Sequence, residues 1–177
     1  MSESPGAEDR SVIHLLLADE GRVHVETGVP VFDRLLEMVA RYGSFELSLE
    51  VAAAGASAQV AVAGRAFGAA LSDLLRAPGA RGHGSAHVPS TEALAHVALD
   101  LSDEPALTSN VDLTAAHIGG LDGDLVDGFL RELASAARVT LHVRLVEGRE
   151  TQHVLDAIFK ALGVALEAAC RVRSGKE

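Results

Sequence analysis

The stretch Phe32–Val51 reads FDRLLEMVARYGSFELSLEV, and Val126–Leu145 reads VDGFLRELASAARVTLHVRL. Set 94 residues apart, Asp33 meets Asp127, Leu36 meets Leu130, Ala40 meets Ala134, Leu47 meets Leu141 and Leu49 meets Val143. After a one-residue slip the match resumes at a spacing of 95, where FGAAL (Phe67–Leu71) meets LGVAL (Leu162–Leu166). Self-similarity of this kind fixes the architecture, because each copy must be the same supersecondary unit. The chain is therefore read as an α/β (α+β) protein with an internal duplication. The expected form is a two-layer sandwich, each half a four-stranded sheet with two helices. The expected divisions are a disordered lead-in over 1–10, half-repeats over 11–80 and 81–171, and a tail over 172–177, all in one compact domain.

Working outward, Ser11–Ala18 and Arg22–Glu26 read as strands joined by the turn Asp19-Glu20-Gly21. Pro30 suits the first position of a helix. Val31, Leu35, Leu36, Val39 and Ala40 follow at helical spacing, and Gly43 ends the run. Ser44–Val51 alternates apolar and polar residues as a half-buried strand does, and Val60–Leu75 reads as an Ala-rich helix. Pro78–Gly82 breaks the chain between the halves. In the second half, Thr91–Leu101 is a strand candidate with Ala106–Leu113 as its expected partner. Leu125–Ala136 reads as a helix, Val139–Val146 as a strand and Thr151–Cys170 as the final helix.

Composition narrows the function classes. The 177 residues are 48% hydrophobic but only 3% aromatic, so the core must pack small side chains closely. A formal charge of −10 disfavours nucleic acid and anionic membranes as partners. A single cysteine excludes an internal disulfide framework and suits a reducing, cytoplasmic setting.

Four segments, in order, resemble the imidazoleglycerol-phosphate dehydratase family. TGVPVFDRLLEMVARYG (Thr27–Gly43) resembles TG-P-FFDHMLEQ-ARHG. VPSTEALAHVALDLSDEP (Val88–Pro105) resembles VPMDEALA-VAVDLSGRP. The stretch Val139–Leu166 resembles the strand, turn and helix that contain HH--EA-FKA, and RVRSGK (Arg171–Lys176) resembles RVPSTKG. The resemblance implies the fold of that family and a hydro-lyase ancestry in histidine biosynthesis. In the family, two manganese ions stabilise an imidazolate-like substrate while a poorly acidic carbon-bound proton is removed. Imidazole and carboxylate ligands suit such ions, which act as Lewis acids toward developing negative charge.

Carried over residue by residue, most of the implied ligand set is absent. The His of FDHM is Arg34 here. The HHTVE segment aligns with Ser57, Ala58, Gln59, Val60 and Ala61, and the His before FF with Gly128. The final HH--E is Gln152, His153 and Asp156, so His153 keeps its type and Asp156 is a shortened carboxylate. Asp33 is expected to pair with a cation, given Arg34 beside it. No metal cofactor is expected. The eight histidines include no HxH set that would announce a new metal motif. His142 is expected on the outer face of its strand, and His14 and His96 at roughly corresponding strand positions.

The implied phosphate contacts survive better. Lys160 stands where the family's FKA lysine reaches phosphate, and Ser174 and Lys176 match the closing C-terminal segment. The RFG arginine aligns with Gly82, one place from Arg81, and a further phosphate arginine aligns with His117. The expectation is a catalytically inactive homologue with a structural, regulatory or phosphate-binding role. The alternative is a working dehydratase, or a shifted enzyme with a remodelled site. As partners, a homo-oligomer (a trimer and not the family's large shell) is expected, with co-assembly with an active homologue and a small phosphate ligand as further options.

Overall fold

The structure, a computed structural model, describes residues 10–173. The lead-in, apart from Arg10, lies outside that range, as do Ser174 and Lys176 in the tail. Strand β1 (Ser11–Leu17) turns its alternate residues Ile13, Leu15 and Leu17 to the core. A short link leads to β2 (Val23–Glu26), and helix α1 (Pro30–Tyr42) then begins on Pro30. α1 buries Phe32, Leu35, Leu36, Val39 and Ala40 on one face. β3 (Phe45–Val51) and α2 (Ala56–Leu75) complete the first half.

β1 and β2 are neighbours in sequence but do not pair. The sheet order is β1-β3-β2, with β3 antiparallel to β1 and parallel to β2. The link between β1 and β2 therefore crosses the start of β3. There the backbone N–H of Leu47 donates to the Arg22 carbonyl. A Cβ on Gly21 would lie 2.6 Å from Cβ of Glu46, so only glycine lets the link pass. Among the described residues this sheet has three strands, one fewer than expected.

The second half begins with a strand that the sequence reading missed, β4 (His83–Ser90). Its Gly, Ser and Pro content hides it, yet it pairs along its whole length with β5 (Ala93–Leu101). β6 (Ala106–Ser109) and a small β7–β8 ribbon (His117–Ile118, Leu121–Asp122) precede α3 (Gly123–Ala137). β9 (Val139–Glu147) and α4 (Thr151–Cys170) follow. The order is β4-β5-β9-β6. β6 thus pairs with β9 in parallel and not with β5 as expected: β9, like β3, inserts between the two strands that precede its helix. The α3 crossover brings β9 parallel to β6, the geometry that a strand–helix–strand unit requires.

The repeat extends to backbone detail. Ser44 and Arg138, 94 residues apart, both take the left-handed conformation (φ 52° and 56°) between a helix and its following strand. The helices lie between the two sheets. α1 and α2 cover the inner face of the first sheet, α4 and α3 that of the second, and the pairs meet as α1 on α4 and α2 on α3. Each half is thus a two-layer unit, and the halves join through their helices. Glycine sets both contacts. A Cβ on Gly163 would lie 2.5 Å from the Val39 carbonyl oxygen, and one on Gly68 would lie 2.7 Å from that of Leu133. These are the glycines that the 95-residue spacing aligns. Thus the repeat is a packing rule as well as a sequence pattern. His14 and His96 are not equivalent: His14 faces Ser48, whereas the matching residue of β9, His142, faces Ala98.

Candidate functional site

The residues aligned with the family's ligands gather at two equivalent clefts. One lies between α1 and α4. The other lies between α2 and α3.

In the α1/α4 cleft, His153, Asp156 and Lys160 project from one side of α4 because positions three and seven residues on return to the same helical face. Arg34 reaches across from α1, and its guanidinium donates to Oδ1 of Asp156 at 2.9 Å. Asp156 is largely buried (13% exposed side chain), whereas Arg34 is 41% exposed. His153 turns away from this pair, and its Nδ1 lies 2.6 Å from Oε2 of Glu92 in the β4–β5 turn. The other oxygen of Glu92 accepts the backbone N–H groups of Glu150 at 2.9 Å and Arg149 at 3.3 Å. These bonds, the Glu150 N–H foremost, hold the Glu92 carboxyl down to about 2, against desolvation, which opposes them and is outweighed by the Glu150 bond. Lys160 donates to Oγ of the buried Ser90 at 3.2 Å and lies 5.4 Å from the centre of the Tyr42 ring. Gln152 is exposed beside these groups.

The α2/α3 cleft is bridged by an ion pair, Arg65 on α2 with Glu132 on α3 at 3.4 Å, and it does not involve the aligned ligand positions. Ser57, Ala61 and Gly128 line a cavity of about 110 Å³ with Asp124 and Glu132. Ala58 is exposed near the start of α2. A Cβ on Gly128 would meet nothing within 4 Å.

Asp33 is not paired with a cation as expected. Its carboxylate accepts the Thr27 backbone N–H at 2.9 Å and the Thr27 hydroxyl. Thr27 is fully buried, so Asp33 fixes the entry into α1. Arg81 does not join Lys160. The Gly82 N–H donates to the Ala169 carbonyl, and Arg81 lies with His83, Gly84 and Ser85 against Ala168. Eight residues of α4 separate Lys160 from Ala168, about 12 Å of helix. His117 is exposed and lies 2.5 Å from Asp122. A larger cavity of about 400 Å³, beside the start of α3, presents Asp112, Asp124 and Asp127 and so repels a phosphate. Asp112 is held below its ordinary value by the hydroxyl and backbone N–H of Thr114.

With this geometry in view, the known proteins it resembles can be set beside it. The sequence model of "Imidazoleglycerol-phosphate dehydratase" matches residues 27–166. The chain belongs to the imidazoleglycerol-phosphate dehydratase family. It is 37% identical to the imidazoleglycerol-phosphate dehydratase of Clostridium botulinum (strain Kyoto / Type A2), across 86% of this chain and 80% of that protein. It is 36% identical to that of Geobacillus kaustophilus, across 90% and 84%. The crystal structure of the Staphylococcus aureus dehydratase superposes with a TM-score of 0.86 at 27% identity, covering 95% of this chain and 97% of that one. That of Pyrococcus furiosus, at 23% identity and a TM-score of 0.81, is similar in fold.

The residues of this imidazoleglycerol-phosphate dehydratase homologue do not fit the family's manganese. In the α1/α4 cleft the Arg34 guanidinium already bonds Asp156 and its fixed charge opposes a dication, while Glu92 engages the His153 imidazole. In the α2/α3 cleft Ser57, Ala58, Ala61 and Gly128 offer no imidazole or carboxylate, and of the carboxylates that line it, Asp124 and Glu132, the latter is paired with Arg65 and neither has an imidazole in the lining. Among the described residues, His24, Glu26 and Glu50 are grouped as a metal could use them, but they stand exposed on the outer side of the first sheet, away from both clefts.

Sequence reasoning missed Glu92. It stands inside the VPSTEALA match and keeps that motif's Glu, which was the available signal. Nothing local points from it to His153, 61 residues away.

Proposed function

We propose that this family member does not dehydrate imidazoleglycerol phosphate through manganese, and that the α1/α4 cleft serves as an ion-pair cluster joining the two halves. The observation that carries this reading is the Arg34–Asp156 pair, 2.9 Å long, at the place where the family alignment puts metal ligands. Catalysis by the family's route would need groups that the chain lacks at both clefts. The remaining cations, Lys160 beside Ser90 and Tyr42, favour a small phosphate as ligand, and an oligomer, a trimer in the cytoplasm, is the proposed state. Inorganic phosphate titrated into the protein, with Lys160→Ala as control, tests the ligand.

A second reading has the relatives behind it: proteins about 37% identical over most of the chain are named as the dehydratase. On that reading the chain is an active hydro-lyase whose site uses other residues. One experiment separates the two. Purified protein is assayed with imidazoleglycerol phosphate and added manganese while its metal content is measured. No turnover and no stoichiometric metal supports the first reading, and metal-dependent turnover establishes the second.

A further inference from the structure

Three metal-ligating side chains converge on the outer face of the first sheet, the side away from the helices. β2 presents His24 and Glu26 there, because residues two apart on a strand share a face. β3 runs parallel to β2, and its register places Ser48 across from His24 and Glu50 across from Glu26. Nε2 of His24 lies 3.4 Å from a carboxylate oxygen of Glu50 and 3.7 Å from one of Glu26. One donor atom from each of the three residues lies within 4.8 Å of the other two.

Ordinary pairing leaves this arrangement unsatisfied. Glu26 and Glu50 stand directly opposite each other on neighbouring strands, where like charges are destabilising. The His24 Nε2 carries at most one proton, so it serves one of the two carboxylates as a donor and leaves the other without one. Among the described residues no arginine or lysine pairs with either glutamate, in a chain whose formal charge is −10. A dication between the three groups removes the conflict. Ligand atoms about 2.1 Å from a tetrahedral zinc ion stand about 3.4 Å from one another. The two separations from His24 are close to that value. The glutamate side chains, 71% and 59% exposed, have room to turn in upon an ion.

We propose that His24, Glu26 and Glu50 form a binding site for a divalent metal ion of the zinc type, with water completing the coordination. One imidazole and two carboxylates suit zinc, which such nitrogen and oxygen donors hold more tightly than manganese. The ion offsets the repulsion between the glutamates and ties β2, a four-residue strand at the edge of its sheet, to β3. β2 leads straight into the Thr27–Asp33 bonds that fix the entry into α1, so the ion strengthens the first half of the fold. The site lies apart from both clefts, and the inference holds whichever function they serve. Built from surface side chains, the site exchanges its ion with solvent and is emptied by chelator. The neighbouring pair His14–Glu46, 3.3 Å apart on the same face, has two members only and supplies an internal control.

The test is titration of the chelator-treated full chain with zinc chloride, followed by calorimetry and by the histidine ring signals in NMR. The expected result is one zinc per chain, with the His24 ring signals moving ahead of those of the other histidines. Zinc should raise the midpoint of thermal unfolding, and manganese at the same concentration should raise it less. His24→Ala and Glu50→Gln should each weaken zinc binding at least tenfold, whereas His14→Ala should leave it unchanged. The wild-type ring signals decide the matter if a variant fails to fold. Zinc binding that survives both changes, or that moves His153 or another histidine in place of His24, overturns the site. So does the absence of saturable binding up to about 1 mM zinc, the weakest affinity that three aligned ligands would leave.

Discussion

The α1/α4 and α2/α3 clefts occupy equivalent places in a duplicated fold, yet they depart from the metal-binding pattern in opposite ways. In the first, side chains remain and bond one another: Arg34 with Asp156, His153 with Glu92, Lys160 with Ser90. In the second, the aligned positions are stripped: Gly128, Ala58 and Ala61 stand where ligands align and open space remains beside Gly128, while the ion pair across the helices, Arg65 with Glu132, comes from other positions. Packing in the two clefts is nevertheless alike, since Gly163 and Gly68 set the same helix contact. The shared helix packing is set by the small and apolar residues of the repeat, which both clefts keep.

The largest expected effect concerns chemistry. Replacing ligands in one cleft should not give a dehydratase, because the other stays incomplete. Arg34→His/Gln152→His/Asp156→Glu should bind manganese at about one ion per chain, measured by elemental analysis. Its turnover should stay at background, since missing metal stabilisation is worth several kcal/mol and each 1.36 kcal/mol is about tenfold in rate. Turnover in this variant would show that the α2/α3 cleft is dispensable.

Next in size is the helix contact that the clefts share. Gly163→Ala and Gly68→Ala should each lower stability by about 1–3 kcal/mol through overpacking against a backbone carbonyl. Urea unfolding measures it. A loss at only one of the two would mean that the halves do not bear the packing load equally.

The aligned glycines were visible in the sequence as part of the repeat, though the helix contact they set was not read from them, and most of the helices and strands were legible as periodicity. Strand order was not. β3 and β9 insert between strands that are neighbours in sequence, and no local pattern encodes an insertion. β4 was hidden because its residues, HGSAHVPS, carry turn-forming types, and its pairing with β5 overrides them. Of the site, the ligand replacements could be read by position. Their new partners could not: Glu92 and Ser90 reach α4 from more than sixty residues away. Asp33 shows the limit most clearly, because adjacency to Arg34 suggested a pair that helix geometry points apart.

Alanine at one aligned position should have opposite effects in the two clefts. Arg34→Ala leaves the largely buried Asp156 carboxylate without its guanidinium, and should cost about 1–2 kcal/mol, between a charged hydrogen bond and an exposed ion pair. Gly128→Ala, its counterpart 94 residues on, places a methyl group in open space on a helix. It should stabilise by about 0.5–1 kcal/mol through helix propensity. Equal signs in thermal unfolding would break the claimed difference between the clefts.

The smallest effect is local and depends on pH. Glu92 ties the β4–β5 turn to the first turn of α4, through the N–H groups of Glu150 and Arg149 and the ring of His153. Among the described residues no side chain from another element bonds the backbone N–H groups at the start of α2, where the cap is Gly55. The Glu92 carboxyl is lowered from 4.5 to about 2, so its folded value lies below its unfolded one. The stabilisation is therefore fully present above pH 4.5 and is lost as pH falls toward about 2. In that window amide exchange at residues 149–154 should quicken, in step with the Glu92 carboxyl signal followed by NMR, while the first turn of α2 shows no matching step. Glu92→Gln keeps the shape but removes the charge, and should show the quickened exchange already at neutral pH. If the first turns of α2 and α4 loosen together, acid is acting on the whole fold, and the Glu92 tie does not distinguish the two clefts.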